Sequence, residues 1–435
     1  MRPIYNNDLP NDWEQRELRR LTIRKRGHTW QKEQESEKES HDTVPVIRIP
    51  NIGERLDLTD LLHLRGVSEE ALKESAVSKD WILFVGSNGN PDRIGDSALM
   101  EENRKMVFAS FLMGITSNNP TELSPEFLSL WLKVHNVHEV FSKTSQQTTG
   151  LANFCWGAVK KLPVRFPKNA AEQQAVVDLV RTANQAVDAA QHKITAAQRL
   201  KTALMQQLFT RGIPGRHTKF KPTKIGEIPA EWDVPNLGSL AKIDAGVALN
   251  PERAPRKNIY RYLTVVNVQR EQLDLSEIRY LELWDSEVPA KLLKSGDIIA
   301  VEGHANASEI GRAAMVTADA DGMAFQNHLF RLRLFDGVDF NSMFLLHCLN
   351  SERVRRHWNA TANTSSGLNT INRTGLRKLR IPQPKRGEQD DIAALIFNAD
   401  ENIRASEKEL LAVQRLKTSL LQNLLTGKVR VKMEN

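Results

Sequence analysis

Phe84-Val85-Gly86-Ser87-Asn88-Gly89 comes nearest to a phosphate-cradling loop, but its glycines are wrongly spaced and no lysine follows. It reads as a strand-to-loop turn. Pro91-Asp92 with Glu101-Glu102 loosely resembles a nuclease carboxylate set; the closing lysine is absent, so the stretch reads as loop. Asn118-Asn119-Pro120-Thr121 does not fit the Asn-Pro-Pro-aromatic tetrapeptide of amino-methyltransferases. The 11 histidines include no His-Glu-x-x-His, and the two cysteines, Cys155 and Cys348, lack zinc-ligand spacing. No metal site is expected. A chain of 435 residues without a dense polar constellation is expected to bind rather than to catalyse. An active site built from scattered residues is the alternative.

The formal net charge is +7 and the pI about 9.3, which suits a polyanionic partner without demanding one. Its distribution says more. Residues 16–26 hold Arg16, Arg19, Arg20, Arg24, Lys25 and Arg26 against Glu17 alone. Such a run is either a phosphate-contacting surface or a solvated face. Hydrophobic residues are 40% of the chain, and no apolar run approaches the roughly 18 residues of a membrane helix. Met1–Asn7 holds no apolar signal core. The cysteines, one in each half, read as free thiols of a reducing compartment.

The elements that would position such residues are announced by a repeat. Residues 172–210 and 388–426 align without a gap at an offset of 216. Glu172-Gln173 matches Glu388-Gln389, and Gln198-Arg199-Leu200-Lys201-Thr202 matches Gln414-Arg415-Leu416-Lys417-Thr418. The apolar series Val176, Val180, Ala183, Val187, Ala190, Ile194, Ala197, Leu200, Leu204, Leu208 steps by 3 and 4. So does Ile392, Ile396, Ala399, Ile403, Ser406, Leu410, Val413, Leu416, Leu420, Leu424 along most of its length. Both predict helices of roughly 38 residues, about 57 Å long, packed on each other as a coiled coil. Gly212 and Gly427 suit their C-terminal stops.

The segments between repeat weakly. Leu9-Pro10-x-x-Trp13 recurs as Ile228-Pro229-x-x-Trp232, Ser78-x-Asp80-x-Ile82 as Ser295-x-Asp297-x-Ile299, and Ile94-Gly95 as Ile310-Gly311. One fold used twice, with its variable surface retuned, is the physical reading. Trp81–Val85, Ile298–Val301 and the alternating His328–Phe335 predict strands, and Phe127–Lys133 and Asn341–Leu349 predict helices. The Glu-rich stretch 31–40 reads as a solvated loop or helix extension without chemistry of its own. The expected fold class is α+β: two mixed α/β domains, 1–162 and 218–378, separated by long helices in 163–217 and 379–435. Those helices form an antiparallel coiled coil with pseudo-two-fold symmetry.

These residues resemble the DNA-specificity subunit of type I restriction–modification enzymes, over nearly the whole length. The segment Leu379-Arg-Ile-Pro-Gln-Pro-Lys-Arg-Gly-Glu-Gln389 carries the resemblance most strongly. With it goes the run from Leu416-Lys417 to Leu425-Thr426-Gly427-Lys428-Val429-Arg430-Val431. The first copy has one extra residue before its Glu-Gln, and Arg211-Gly212 where the second has Gly427-Lys428. The resemblance implies two target-recognition domains on conserved spacer helices, and a subunit without catalysis. It implies double-stranded DNA, two methyltransferase subunits and, through them, motor-nuclease subunits as partners in the cytoplasm. No cofactor is expected in this chain; S-adenosylmethionine and ATP with magnesium belong to those partners.

On that expectation Arg24, Lys25, Arg26, His28, Trp30, Asn88, Asn90 and Arg93 are candidate DNA contacts in the first domain. Arg253, Arg256, Lys257, His304, Asn306 and Ser308 are their counterparts in the second. Gln198, Lys201, Thr202 and Gln206, with Gln414, Lys417, Thr418 and Gln422, are candidate partner-docking residues, because burial between the helices does not require their identity. The competing function is a coiled-coil scaffold that joins proteins without touching DNA.

Overall fold

The computed structural model describes residues 4–144, 146–148, 151–365 and 368–431. It divides into two compact units, residues 1–190 with 409–435 and residues 191–408. The four segments expected from the sequence are therefore gathered in pairs. Each unit holds one globular head, the start of one long helix and the end of the other.

In unit 1 an antiparallel sheet runs in the order Thr22–Arg26, Leu112–Ser117, Ile82–Val85, Ser97–Leu99. In unit 2 the same order recurs as Ala241–Ala245, Leu329–Leu334, Ile298–Val301, Ala313–Met315. Beside each lies a sheet with one parallel pair, Thr43–Ile47 with Met106–Phe108 and Ile259–Leu263 with Ala324–Phe325. Each head also has a small three-stranded sheet: Gln146–Thr148, Leu151–Asn153, Ser87–Asn88 in one, and Asn363–Ser365, Leu368–Thr370, Gly303–His304 in the other. The weakly matched segments are thus one topology folded twice. The five elements expected from periodicity all form, with ends shifted by one or two residues at most.

Two details depart from expectation. Residues 31–40 are not featureless: Lys32–Gln34 is a 3₁₀ turn and Glu35–Ser36 a strand on Leu62–Arg65. The alternating strand Leu329–Leu334 buries both faces, so Arg331 is only 2% exposed. Asp244, 2.5 Å from its guanidinium, supplies the countercharge that such burial requires.

The long helices span Ala170–Arg211, 42 residues, and Arg386–Leu425, 40 residues. They run antiparallel, since in each unit the start of one shares a core with the end of the other. Val176, Val177 and Val180 lie with Leu421, Leu424 and Leu425 in unit 1, and Ile392, Ala393 and Ile396 with Met205, Leu208 and Phe209 in unit 2. Gly212 and Gly427 terminate them with φ of 72° and 71°, the left-handed stop expected.

The seam itself needs correction. Leu200 and Leu416, placed on it by their spacing, are 70% and 65% exposed. A straight helix of 3.6 residues per turn drifts away from a 3.5-residue pattern. Past Ala197 the buried stripe passes to Lys201, Met205 and Leu208, where the helix meets its head rather than only the other helix.

Each head is fastened to its helix by the repeated Glu-Gln pair. Trp13 Nε1 donates to Glu172 at 3.3 Å, and Trp232 Nε1 to Glu388 at 3.0 Å. Beyond the end of the opposite helix a basic side chain completes each joint: Arg430 on Glu172, His217 beside Glu388 at 2.8 Å. Gln173 accepts from Ser124 N at 2.9 Å and donates to Pro167 O at 2.8 Å. Gln389 accepts from Asn341 N at 2.8 Å and donates to Pro384 O at 2.9 Å. Ser124 and Asn341 are N-caps of the helices Pro125–Leu132 and Ser342–Leu349, so each glutamine holds a head helix by its first turn.

Candidate nucleic-acid interface

In head 1 the candidate residues come from two segments that a third brings together. Thr22–Arg26 is an edge strand with Arg24 and Arg26 exposed. Cations on an edge strand also guard it against pairing with another chain. The guanidinium of Arg24 lies 5.1 Å from the Trp156 ring, which leaves it free to meet a phosphate. Lys25 differs: its Nζ donates to Ala76 O at 2.7 Å and sits over Trp81. Burial, aided by the neighbouring Lys105, holds its pKa below the ordinary lysine value. It braces the head through that bond. His28 and Trp30 stack at 6.5 Å, and Trp30 Nε1 donates to Glu35 at 2.9 Å, so the Glu-rich stretch orients the indole.

Asn88 and Asn90 turn their Oδ1 atoms inward, accepting from the N–H groups of Asn90 and Asp92 at 2.8 and 3.0 Å. Each oxygen has one of its two lone pairs committed to the loop, which fixes the orientation of the amide. Each can still offer its amide nitrogen. Arg93 is also corrected: it donates to Ile52 O at 2.7 Å and to Asp96 at 3.1 Å, bracing the loop.

Between these segments runs the turn Ala109–Phe111, which sequence reading passed over. Ser110 N donates to His28 O at 2.9 Å on one side, and Gly86 N and Ser87 N donate to Phe111 O at 2.9 and 3.1 Å on the other. Phe111 is 50% exposed. No periodicity or motif marks a lone phenylalanine in a turn.

Head 2 repeats the loop. His304 Nδ1 accepts from Asn306 N at 3.0 Å, and Asn306 Oδ1 accepts from Ser308 N at 3.0 Å and from its hydroxyl at 2.9 Å. The accepting Nδ1 makes Nε2 of neutral His304 the donor. Asn306 and Ser308 mainly shape the loop. The expected Arg253–Lys257 patch shrinks. Arg253 is 7% exposed, binds Glu287 through both terminal nitrogens and stacks 3.5 Å from the Trp284 ring centre. Its Nε–H has no partner but is buried with the rest of the group, so the guanidinium is not presented to a phosphate and is structural. Arg256 and Lys257 are exposed, but their backbone N–H groups grip Glu282 at 2.8 Å, which places a carboxylate beside the two cations.

Along the helices Gln198, Thr202, Gln206, Gln414 and Thr418 are exposed and Gln422 is half-buried, with Arg199, Leu200, Arg415 and Leu416 exposed beside them. Lys201 and Lys417 are corrections. Lys201 Nζ bonds Glu271 and lies 2.6 Å from Asp400; Lys417 Nζ lies 2.6 Å from Glu54. Glu54 and Glu271 follow the same 3₁₀ turn in the two heads, Ile49–Asn51 and Val265–Asn267. The identity of these lysines is explained inside the chain. His347 Nδ1 joins Glu271 at 2.7 Å, so Glu271, His347 and Asp400 offer three atoms within 4.8 Å of one another. The Lys201 ammonium already supplies the positive charge among them. Among the described residues no helix is long and apolar enough to cross a membrane.

Residues 229–415 match the family described as the type I restriction modification DNA specificity domain. The chain is 24% identical to the type I restriction enzyme StySPI specificity subunit of Salmonella potsdam, over 97% of this chain and 90% of that protein. It is 25% identical to the MjaVIII specificity subunit of Methanocaldococcus jannaschii, over 83% and 82%. A solved chain from work on complex assembly and conformational transition of the type I R-M system superposes with a TM-score of 0.66 at 14% identity, over 97% of this chain and 100% of that one. The HsdS subunit from Thermoanaerobacter tengcongensis gives 0.51 at 15%, over 98% and 99%. At such identity these solved structures speak for the fold alone. The matched domain, the likeness to named subunits along nearly the whole chain and the doubled fold together make this chain similar to the specificity subunits of type I restriction–modification enzymes.

Proposed function

We propose that the chain reads a bipartite duplex-DNA target, one head per half-site, and docks two methyltransferase subunits. The observation that carries this is the pairing of sameness with difference. Joints, sheets and loop turns repeat between the heads, while the exposed tip residues change. Two reading heads of one build but different side chains suit two different half-sites. The helices carry the opposite pattern, an exposed face whose residues are the same twice, which suits one partner bound twice. S-adenosylmethionine, and ATP with magnesium, are assigned to the methyltransferase and motor-nuclease partners, and the working place is the cytoplasm.

The test is to co-express the chain with its cognate methyltransferase and map modified sites by long-read sequencing. The expected motif has two short defined halves around an unread gap; a single continuous motif, or none, sinks the proposal. Deleting one heptad from each long helix removes about 10 Å of rise. The gap is then expected to narrow by roughly three base pairs at 3.4 Å each, and an unchanged gap in the mapped motif refutes the helices as its ruler.

Docking has its own test. Leu200→Asp with Leu416→Asp changes two exposed side chains, so folding is expected to stay within about 0.5 kcal/mol of wild type. A charge placed in a desolvated contact weakens association by roughly 2–5 kcal/mol. Loss of methyltransferase co-purification with an unchanged melting curve is the expected result; normal co-purification refutes this face.

A further inference from the structure

We infer that Phe111 is a specificity-determining residue of head 1, reading the C5 methyl group of a thymine in the half-site that this head contacts. The inference rests on the DNA-reading function proposed above and deepens it to one atom of one base.

A single exposed apolar side chain is ordinary. Three observations lift this one above the ordinary. First, the backbone of Phe111 is held while the residue stays half exposed: Leu112 N closes the turn on Ala109 O at 2.9 Å, and two N–H groups from Gly86 and Ser87 fix its carbonyl. Second, the ring stands where the stacked His28 and Trp30 pair and the Asn88–Asn90 loop are joined to one turn. Third, the same turn exists in head 2, where Leu329 N closes on Gln326 O at 3.0 Å and Glu302 N donates to His328 O at 2.9 Å. There the side chain is His328, 51% exposed, a hydrogen-bonding ring in place of an apolar one. An unchanged backbone with exchanged chemistry is what a reading position in a duplicated domain requires.

The choice of base follows from the side chain. Phenylalanine has no hydrogen-bonding group, and among base edges in the major groove the apolar feature it can meet is the thymine methyl. The other use of an exposed phenylalanine is as a wedge between base steps, which bends the duplex and is far less selective.

The experiment uses the full chain assembled with its methyltransferase. The modification motif is mapped for wild type and for Phe111→Ala. The variant is expected to lose a preference for thymine at one position of one half-site, with the other half-site unchanged. That thymine is then replaced by deoxyuridine, which lacks only the methyl, in a synthetic target duplex. Wild-type binding is expected to weaken about fourfold, the factor equivalent to about 0.8 kcal/mol for one buried methyl. Phe111→Ala is expected to bind the two duplexes equally.

A motif unaffected by the variant, or an equal uracil penalty in both proteins, overturns the inference. So does a uniform loss of affinity on every sequence, which assigns Phe111 to a wedge or to the fold. A wild-type complex that yields no two-part motif defeats the underlying function instead, and the two failures are told apart before any variant is made.

Discussion

Gln389→Ala is expected to destabilise the protein by about 3–5 kcal/mol, among the largest effects a single truncation can have. Gln389 is fully buried, and its amide bonds the N–H of Asn341 and the carbonyl of Pro384. Truncation leaves those backbone groups dry and unpaired, at roughly 1–3 kcal/mol each, and opens a cavity besides. Asn341 also caps the helix Ser342–Leu349 through its side chain, 2.9 Å from Phe344 N, so the lost bond loosens a cap as well as a joint. For a unit of this size each kcal/mol shifts the melting midpoint by roughly 2–4 °C. A drop of about 10 °C by calorimetry is expected, while Gln206→Ala on the exposed helix face leaves the midpoint in place. A change below about 2 °C in Gln389→Ala refutes the joint.

Lys201→Met is expected to cost about 3–5 kcal/mol, because it strands two largely buried carboxylates without their ammonium. The side chains of Lys201, Glu271 and Asp400 are only 14%, 16% and 17% exposed. The equivalent Lys417→Met faces Glu54, which is 57% exposed, so solvent screens that pair and the expected cost is about 1 kcal/mol or less. Acid titration gives a second reading. Burial pushes the Glu271 carboxyl up, but the hydrogen bond and charge of His347 and the charge of Lys201 outweigh it and hold the group at about 2, against 4.5 when free. A depressed carboxyl contributes stability that is complete above pH 4.5 and lost as pH falls from 4.5 through about 2, at most about 3 kcal/mol. Wild type is expected to lose stability steeply in that window and Lys201→Met to lose less. Parallel acid-unfolding curves refute the cluster's role.

Much of this was legible in the residues because the chain repeats itself. The long helices, their glycine stops and the duplicated heads all follow from landmarks kept at a fixed offset, such as Trp13 with Trp232 and Glu172-Gln173 with Glu388-Gln389. Local pattern placed Ile298–Val301 and the strand around Phe330, since alternation and apolar runs report the neighbours a strand will have.

Pattern failed where a side chain's partner is distant in sequence. Arg253 looked like a phosphate ligand because nothing near it in sequence announces Glu287 and Trp284 as its partners. Lys201 looked free because Glu271 lies 70 residues away. Leu200 looked buried because heptad spacing cannot register helical drift or which face a head will cover.

By itself, then, the sequence determined the doubled α+β build and the paired helices, because period and repetition are properties of order along a chain. Only the tertiary structure decided which charged groups remain free, that the Glu-Gln pairs are joints, and that Phe111 stands between two candidate reading segments. Those are consequences of desolvation and of contacts between residues far apart in sequence, and linear spacing carries no record of them.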